Sequence, residues 1–465
     1  MTGAEESGPE LLSVAFTAAT DAALAAHLDK GPDQEDLCFA YWRPSLGRRR
    51  LTAIVNELVL PREGERILQG NVAFTADYLA RVLDERLEGA GIALLHSHLG
   101  PGWQGMSDDD VVAERDRLAG AVWGQSGLPV LGLTRATDGA WSARFWMHTA
   151  PRVFERRRVD SVRVVGRHVR TTYHPDVSAP AVEGTQVATV SVWGEEAQAD
   201  LARARVGIVG LGSVGSIVAE ALARVGFAHL TLLDFDLLEE RNLDRTAGAG
   251  ASDVGLAKVA VAARNVRQAA TAADLELDVV TASLLDRDGL LAALDCDVLI
   301  SCVDRPWPRH LLNAIAYAHL IPVVDGGIAA GVKPDGTPLH VDWRIHTVGP
   351  DNACLVCMDS LRRSDIALDI DGRLDDPDYI KNLSASERAR YSRRNVYPFS
   401  LSVAAHEVLQ LVGLLTGFER VSGTGPQHYR GYPGVMEVSA PVCAGDCEYL
   451  VLTASAADMS GNLRS

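Results

Sequence analysis

Apolar residues in this chain fall into two rhythms. Short unbroken or alternating runs mark strands, and spacings of three and four mark helices. The sharpest change of rhythm starts at Val206–Val209, an apolar run that stops on Gly210-Leu-Gly212-Ser-Val-Gly215. Helical spacing follows, then a second run, Leu230–Leu233, ending on Asp234. Strand, glycine turn, helix and strand in that order predict the first unit of a dinucleotide-type fold. Leu277–Val280, Asp297–Cys302 and Ile321–Gly327 read as further strands, Pro338–Thr347 as an antiparallel edge strand, and Pro398–Thr416 as a helix packed on the sheet.

The first third has its own pattern. Arg50–Leu60 predicts a strand with Glu57 near its end, and Phe74–Leu87 has helical spacing. Gly91–Leu95 predicts a short buried strand that runs directly into His96-Ser-His98. Ser107-Asp-Asp-Asp110 opens a helical pattern that reaches Gly120. Val130–Leu133 and Trp141–Met147 read as strands joined by a turn at 137–139. Between the two regions, Pro151–Arg170 is basic and 173–184 is loop-like, and a helix from Trp193 to Arg205 leads into the glycine turn.

Composition narrows the class. A chain of 465 residues is too long for one ordinary domain, so two or three are expected. A net charge of −17 argues against a nucleic-acid surface. The acidic N-terminus lacks the features of a signal peptide and no apolar stretch of membrane-spanning length is expected, so the location expected is cytoplasmic, with no membrane partner. The basic stretch near 151–170 is expected to be a solvated face.

In the glycine turn, Gly210 suits a tight bend, Gly212 lets backbone N–H groups approach phosphate, and Gly215 lets the helix pack close to the strand. Asp234 can hold ribose hydroxyls. A nicotinamide site has no use for the Asn, Arg and Lys that come next, whereas a triphosphate attacked at its α-phosphorus needs cations close by. Asp234, Asn242, Arg245 and Lys258 keep the intervals of the ThiF-type adenylyltransferases, relatives of the ubiquitin-activating enzymes, and the sequence closely resembles them, with Asp236 a further candidate of the same site. The resemblance implies an ATP site in which Arg245 and Lys258 steady the phosphates and Asp304 binds Mg²⁺. Two departures stand out. The family's Asp-Asn pair is Asp304-Arg305 here, although Arg309 and Asn313 keep the later pattern. The Arg-Gln pair that reaches the partner subunit's ATP is missing near Ala188-Thr189, with Arg167 and Arg170 as candidate substitutes.

Two histidines one residue apart at a strand end point the same way, and a carboxylate opening the next helix can add a third zinc ligand. Glu57, His96, His98, Ser107 and Asp110 resemble the JAMM (JAB/MPN) metalloproteases. The resemblance implies zinc on His96, His98 and Asp110, Glu57 as general base, and Ser107 stabilising the oxyanion. The loop from His98 to Ser107 holds eight residues where the family has seven. Counting from His98 would put the ligand on Asp109; the Ser-x-x-Asp start favours Asp110.

Cys354-Leu-Val-Cys357 and Cys443-Ala-Gly-Asp-Cys447 predict a structural zinc site with four cysteine ligands. No cysteine lies between Cys357 and Cys443, so the charged crossover loop (358–397) has no thioester cysteine. Cys38, Cys296 and Cys302 fall in the first domain or on strands. The expected fold is α/β: a JAMM-type domain (1–150), a linker (151–192), a Rossmann-like, mostly parallel adenylyltransferase domain (193–455) and a tail (456–465). The expected activity is ATP-dependent adenylation of the C-terminal glycine of a ubiquitin-like protein, with zinc-dependent trimming or removal of that modifier. A sulfur-carrier pathway or a non-catalytic scaffold are the alternatives. A homodimer and a conjugating enzyme are expected partners.

Overall fold

The computed structural model describes residues 9–31, 33–69, 71–333, 337–384, 388 and 395–464. The acidic start, 1–8, and most of the charged stretch 385–394 lie outside the described residues. The chain forms two compact units: 1–166 with 170–178 and 454–456, and 179–453 with 167–169 and 457–465.

The first unit is built on β1 (Leu11–Thr17), β2 (Leu37–Leu46), β3 (Arg50–Val59), β4 (Arg66–Gln69), β5 (Asn71–Phe74), β6 (Gly91–Ser97), β7 (Val130–Arg135), β8 (Trp141–Ala150), β9 (Val153–Arg158), β10 (Ser161–Val165) and β11 (Val169–Tyr173). Nine of these form one sheet in the order β11-β10-β1-β3-β2-β6-β7-β8-β9, and β4 and β5 make a separate ribbon. The central strand β2 shows why its sequence runs apolar without alternating. Cys38, Ala40 and Trp42 enter one apolar cluster, and Leu37, Phe39 and Tyr41 enter the other, so both faces are covered. The stretch expected to be a linker is not one: 153–173 supplies three strands of this sheet. Its basic residues 156–158 lie exposed on the edge strand β9, where charge discourages further strand pairing.

The second unit carries β12 (Arg205–Val209), β13 (His229–Leu233), β14 (Glu276–Val280), β15 (Val298–Ser301), β16 (Val323–Val332), β17 (Pro338–Val348), β18 (Gln427–Arg430) and β19 (Val435–Val438). Their order is β14-β13-β12-β15-β16-β17-β18-β19. The first five pair in parallel and the last three antiparallel, so the sheet is mixed. β17 is interior, because β18, from beyond the long helix, pairs on its other side. The helix before β12 begins at Val187, ahead of Trp193, and turns at Gly194, whose φ is 85°.

One expectation about apolar length is corrected here. The helix Tyr397–Thr416 is 20 residues long and reaches a mean hydropathy of 1.4, enough to cross a bilayer by length and composition. It packs instead along β16 and β17, with 56% of that window buried.

Candidate functional site

The C-terminal ends of β12, β13, β15 and β16 open into a cleft of about 970 Å³, the expected place for a ligand in a sheet of this type. Gly210 makes the bend at φ 90°, and a Cβ there would stand 2.8 Å from the Cys302 carbonyl oxygen. A Cβ on Gly215 would fall 1.9 Å from the Gly210 carbonyl oxygen, so the helix Gly215–Val225 can start only on a glycine. A Cβ on Gly212 would meet nothing within 4 Å; this glycine leaves space in the cleft it lines.

Asp234 is buried at the end of β13. Its carboxylate accepts the Leu211 N–H at 2.6 Å and the Asp236 N–H at 2.7 Å. Burial pushes its pKa up, opposed by those two amides and by the nearby Lys258. Lys258 opens the helix Lys258–Ala269, and its ammonium donates to Asp236 at 2.6 Å. The turn 239–245 is pinned by its own side chains. Asn242 accepts the Glu239 N–H at 3.1 Å, and Arg245 donates to the Arg241 carbonyl at 2.8 Å. Asp234, Asp236, Asn242, Arg245, Lys258 and Asp304 all line the one cleft. A carboxylate at 304, facing the same space as the glycine turn, is the hard oxygen donor that magnesium beside phosphates requires.

The Arg305 departure has a structural use. Its guanidinium donates to Asp375 at 2.8 and 2.9 Å and to Asp369, whose other oxygen takes the Trp307 N–H at 2.9 Å. That clamp holds the segment after Cys357 against the start of the helix Pro306–Ala318. Arg170 is taken up by Asp21 at 2.6 Å in the first unit. Sequence reasoning missed a half-buried cluster at the floor of the cleft, because its members come from five separate elements. Asp325 pairs with Arg344 at 2.8 Å and Arg309 at 3.3 Å, Ser301 donates to it at 2.7 Å, and Cys302 lies 3.8 Å from Glu407.

In the first unit, His96 and His98 do converge with Asp110. The two Nε2 atoms are 3.1 Å apart, and the Asp110 oxygens lie 3.2 Å from His96 and 3.3 Å from His98. Ligands about 2.05 Å from a tetrahedral zinc sit about 3.3 Å from one another, so this triangle fits the ion. Asp110, not Asp109, is the third member. Ser107 caps the short helix Asp108–Val111. Its hydroxyl accepts the Asp110 N–H at 3.2 Å, and its own N–H donates to Asp110 at 2.7 Å, which fixes the direction of that carboxylate.

Glu57 is not brought to this cluster. It is exposed and faces Tyr41 across β2, four positions along from Leu37, which faces His96. At about 3.3 Å per residue and two strand spacings of about 4.8 Å, the separation is too large for proton transfer. Glu35, just before β2, lies within electrostatic reach of the cluster. Burial raises its pKa, and His98 and His96 pull it back. The signal in sequence was weak: a lone Glu in a polar loop.

Cys354, Cys357, Cys443 and Cys447 bring four sulfurs within 4.8 Å of one another. The Cys354–Cys447 separation is 3.6 Å, against about 3.8 Å for thiolates 2.3 Å from a tetrahedral zinc. The Cys357 and Cys354 amides each donate to a sulfur at 3.2 Å.

Residues 184–430 match the family model described as ThiF family. Over 145 residues the chain is 36% identical to a molybdopterin-synthase adenylyltransferase of Escherichia coli K12, covering 31% of this chain and 54% of that protein. It is 34% identical over 155 residues to a tRNA threonylcarbamoyladenosine dehydratase of the same organism, covering 33% and 56%. It is 31% identical over 165 residues to a SAMP-activating enzyme E1 of Haloferax volcanii, covering 36% and 57%. The chain thus spans about half the length of these relatives.

Proposed function

The chain belongs to the ThiF family, and from that premise we propose that its second unit adenylates the C-terminal carboxylate of a ubiquitin-like or sulfur-carrier protein. The observation that carries this reading is the gathering of Asp234, Asn242, Arg245, Lys258 and Asp304 around one cleft with the glycine turn. Asp234 holds the ribose hydroxyls, and the turn's amides meet the phosphates. Lys258 and Arg245 balance charge as a carboxylate oxygen of the partner's tail bonds to the α-phosphorus and pyrophosphate leaves. Magnesium, held through Asp304, would supply further charge neutralisation on the phosphates.

We further propose that the first unit is a JAMM-type zinc site acting on the same class of modifier. His96, His98 and Asp110 would hold the ion, which supplies a Lewis acid for the scissile carbonyl. Glu35, whose charge couples to His96 and His98, would take a proton from water. The four-cysteine cluster is proposed as a second, structural zinc site. A reducing, cytoplasmic setting, a homodimer and a conjugating enzyme as acceptor belong to the same proposal. A specific observation favours the sulfur-carrier form: no cysteine lies between Cys357 and Cys443 to carry a thioester.

ATP–pyrophosphate exchange with purified chain and small ubiquitin-like proteins tests the central claim. Exchange that depends on such a partner and is lost in Asp304→Ala is expected. No exchange with any partner would favour a scaffold instead, and exchange untouched by Asp304→Ala would remove the magnesium assignment.

A further inference from the structure

The segment 457–464 packs back onto the second unit. Met459 is buried in the same apolar cluster as Leu284 and Leu285, and Leu463 packs against it. The Trp307 indole N–H donates to the Asn462 carbonyl at 3.0 Å. The Arg464 N–H donates to the Leu285 carbonyl at 3.0 Å. These anchors deliver the Arg464 side chain to the wall of the cleft. Its guanidinium carbon lies 5.9 Å from the centre of the Phe235 ring and 5.8 Å from that of Trp307. Among the described residues, no carboxylate forms an ion pair with it. Two aromatic rings flank this exposed cation.

Its position along the cleft identifies what it would meet. The phosphate-binding turn follows β12 and the ribose carboxylate ends β13, so a bound nucleotide runs from β12 towards β14. The base then lies beyond the ribose, beside Phe235 and residues 282–285, all of which line the cleft. Arg464 stands over that end. A guanidinium is planar, weakly hydrated and attracted to aromatic faces, and a purine presents such a face.

We propose that Arg464 is a nucleotide-binding residue that closes the base end of the cleft by stacking on adenine. The carrier segment 457–464 is therefore part of the nucleotide site and not a passive tail. This rests on the ATP reading above.

Calorimetric titration of the full chain with ATP, AMP and inorganic tripolyphosphate tests it, using wild type, Arg464→Ala and Arg464→Lys. Arg464→Ala should bind ATP and AMP about tenfold more weakly and by the same factor, with tripolyphosphate unaffected. Arg464→Lys, which keeps the charge but loses the plane, should resemble Arg464→Ala. Equal ATP binding by wild type and Arg464→Ala overturns the inference while leaving the ATP reading intact. So does a loss shared by tripolyphosphate, or full rescue by lysine, since either would make Arg464 a phosphate contact. Failure of wild type to bind ATP or AMP overturns both.

Discussion

Glu407 lies on the helix Tyr397–Thr416 with its carboxyl buried against Gly326 and beside Cys302. Burial and the neighbouring Asp325 push its pKa well above the ordinary 4.5, with Arg309 pulling the other way. Between that ordinary value and the raised one, the folded chain binds a proton that the unfolded chain has released. The stabilisation is complete below pH 4.5 and is lost as pH rises through the folded pKa. Glu407→Gln keeps the shape without the titration. Urea unfolding from pH 6 to pH 9 should show wild type losing stability relative to the variant; parallel pH profiles would refute this. A second residue-scale outcome concerns Lys258. Replacing it by alanine should lower pyrophosphate exchange about 100-fold or more with melting unchanged, as removal of a cation from charge developing on phosphate does. Lys258 was readable in sequence because it and Asp234 belong to one connection, from the end of β13 to the helix Lys258–Ala269. Glu407 was not: its neighbours Cys302 and Gly326 are 105 and 81 residues away in sequence and reach it only through packing.

Elements were read best where their pattern is local. The β12–turn–helix–β13 unit emerged because the apolar rhythm and the glycines are contiguous. Two glycines, one in this turn and one on β16, have opposite consequences when substituted. A Cβ on Gly212 enters open space, whereas one on Gly326 would meet the Glu407 Oε1 at 2.1 Å and Val403 Cγ1 at 2.7 Å. Gly326→Ala should therefore destabilise the chain by about 1–3 kcal/mol in denaturant titration. Gly212→Ala should leave stability within about 0.5 kcal/mol of wild type but weaken ATP binding in calorimetry. Equal stability losses for the two would contradict this contrast. The elements misread were those whose status depends on a distant neighbour. β17 looked like an edge because β18 comes from beyond the long helix, and 153–173 looked like a linker because edge strands carry charge.

At the scale of the whole molecule, the two ligand clusters should bind metal independently, since each lies inside its own unit. Elemental analysis of zinc-loaded protein should give two zinc ions per chain. Cys443→Ser should remove one and lower the melting temperature of the second unit, because those thiolates join Cys354 to the distant 443–447 segment. His98→Ala should remove the other and leave that transition in place. A shared loss of both ions from either variant would sink the assignment of separate sites.

Local order alone determined the nucleotide-type unit, the cation intervals after Asp234, the paired cysteines and the His-x-His strand end, because each is set by residues near one another in sequence and by backbone periodicity. Tertiary structure decided the rest. It set Glu57 apart from the His96–His98–Asp110 cluster through strand register, and turned the departure at Arg305 into a clamp on Asp369 and Asp375. These depend on which elements lie side by side, and side-by-side placement is a property of packing that no local spacing encodes.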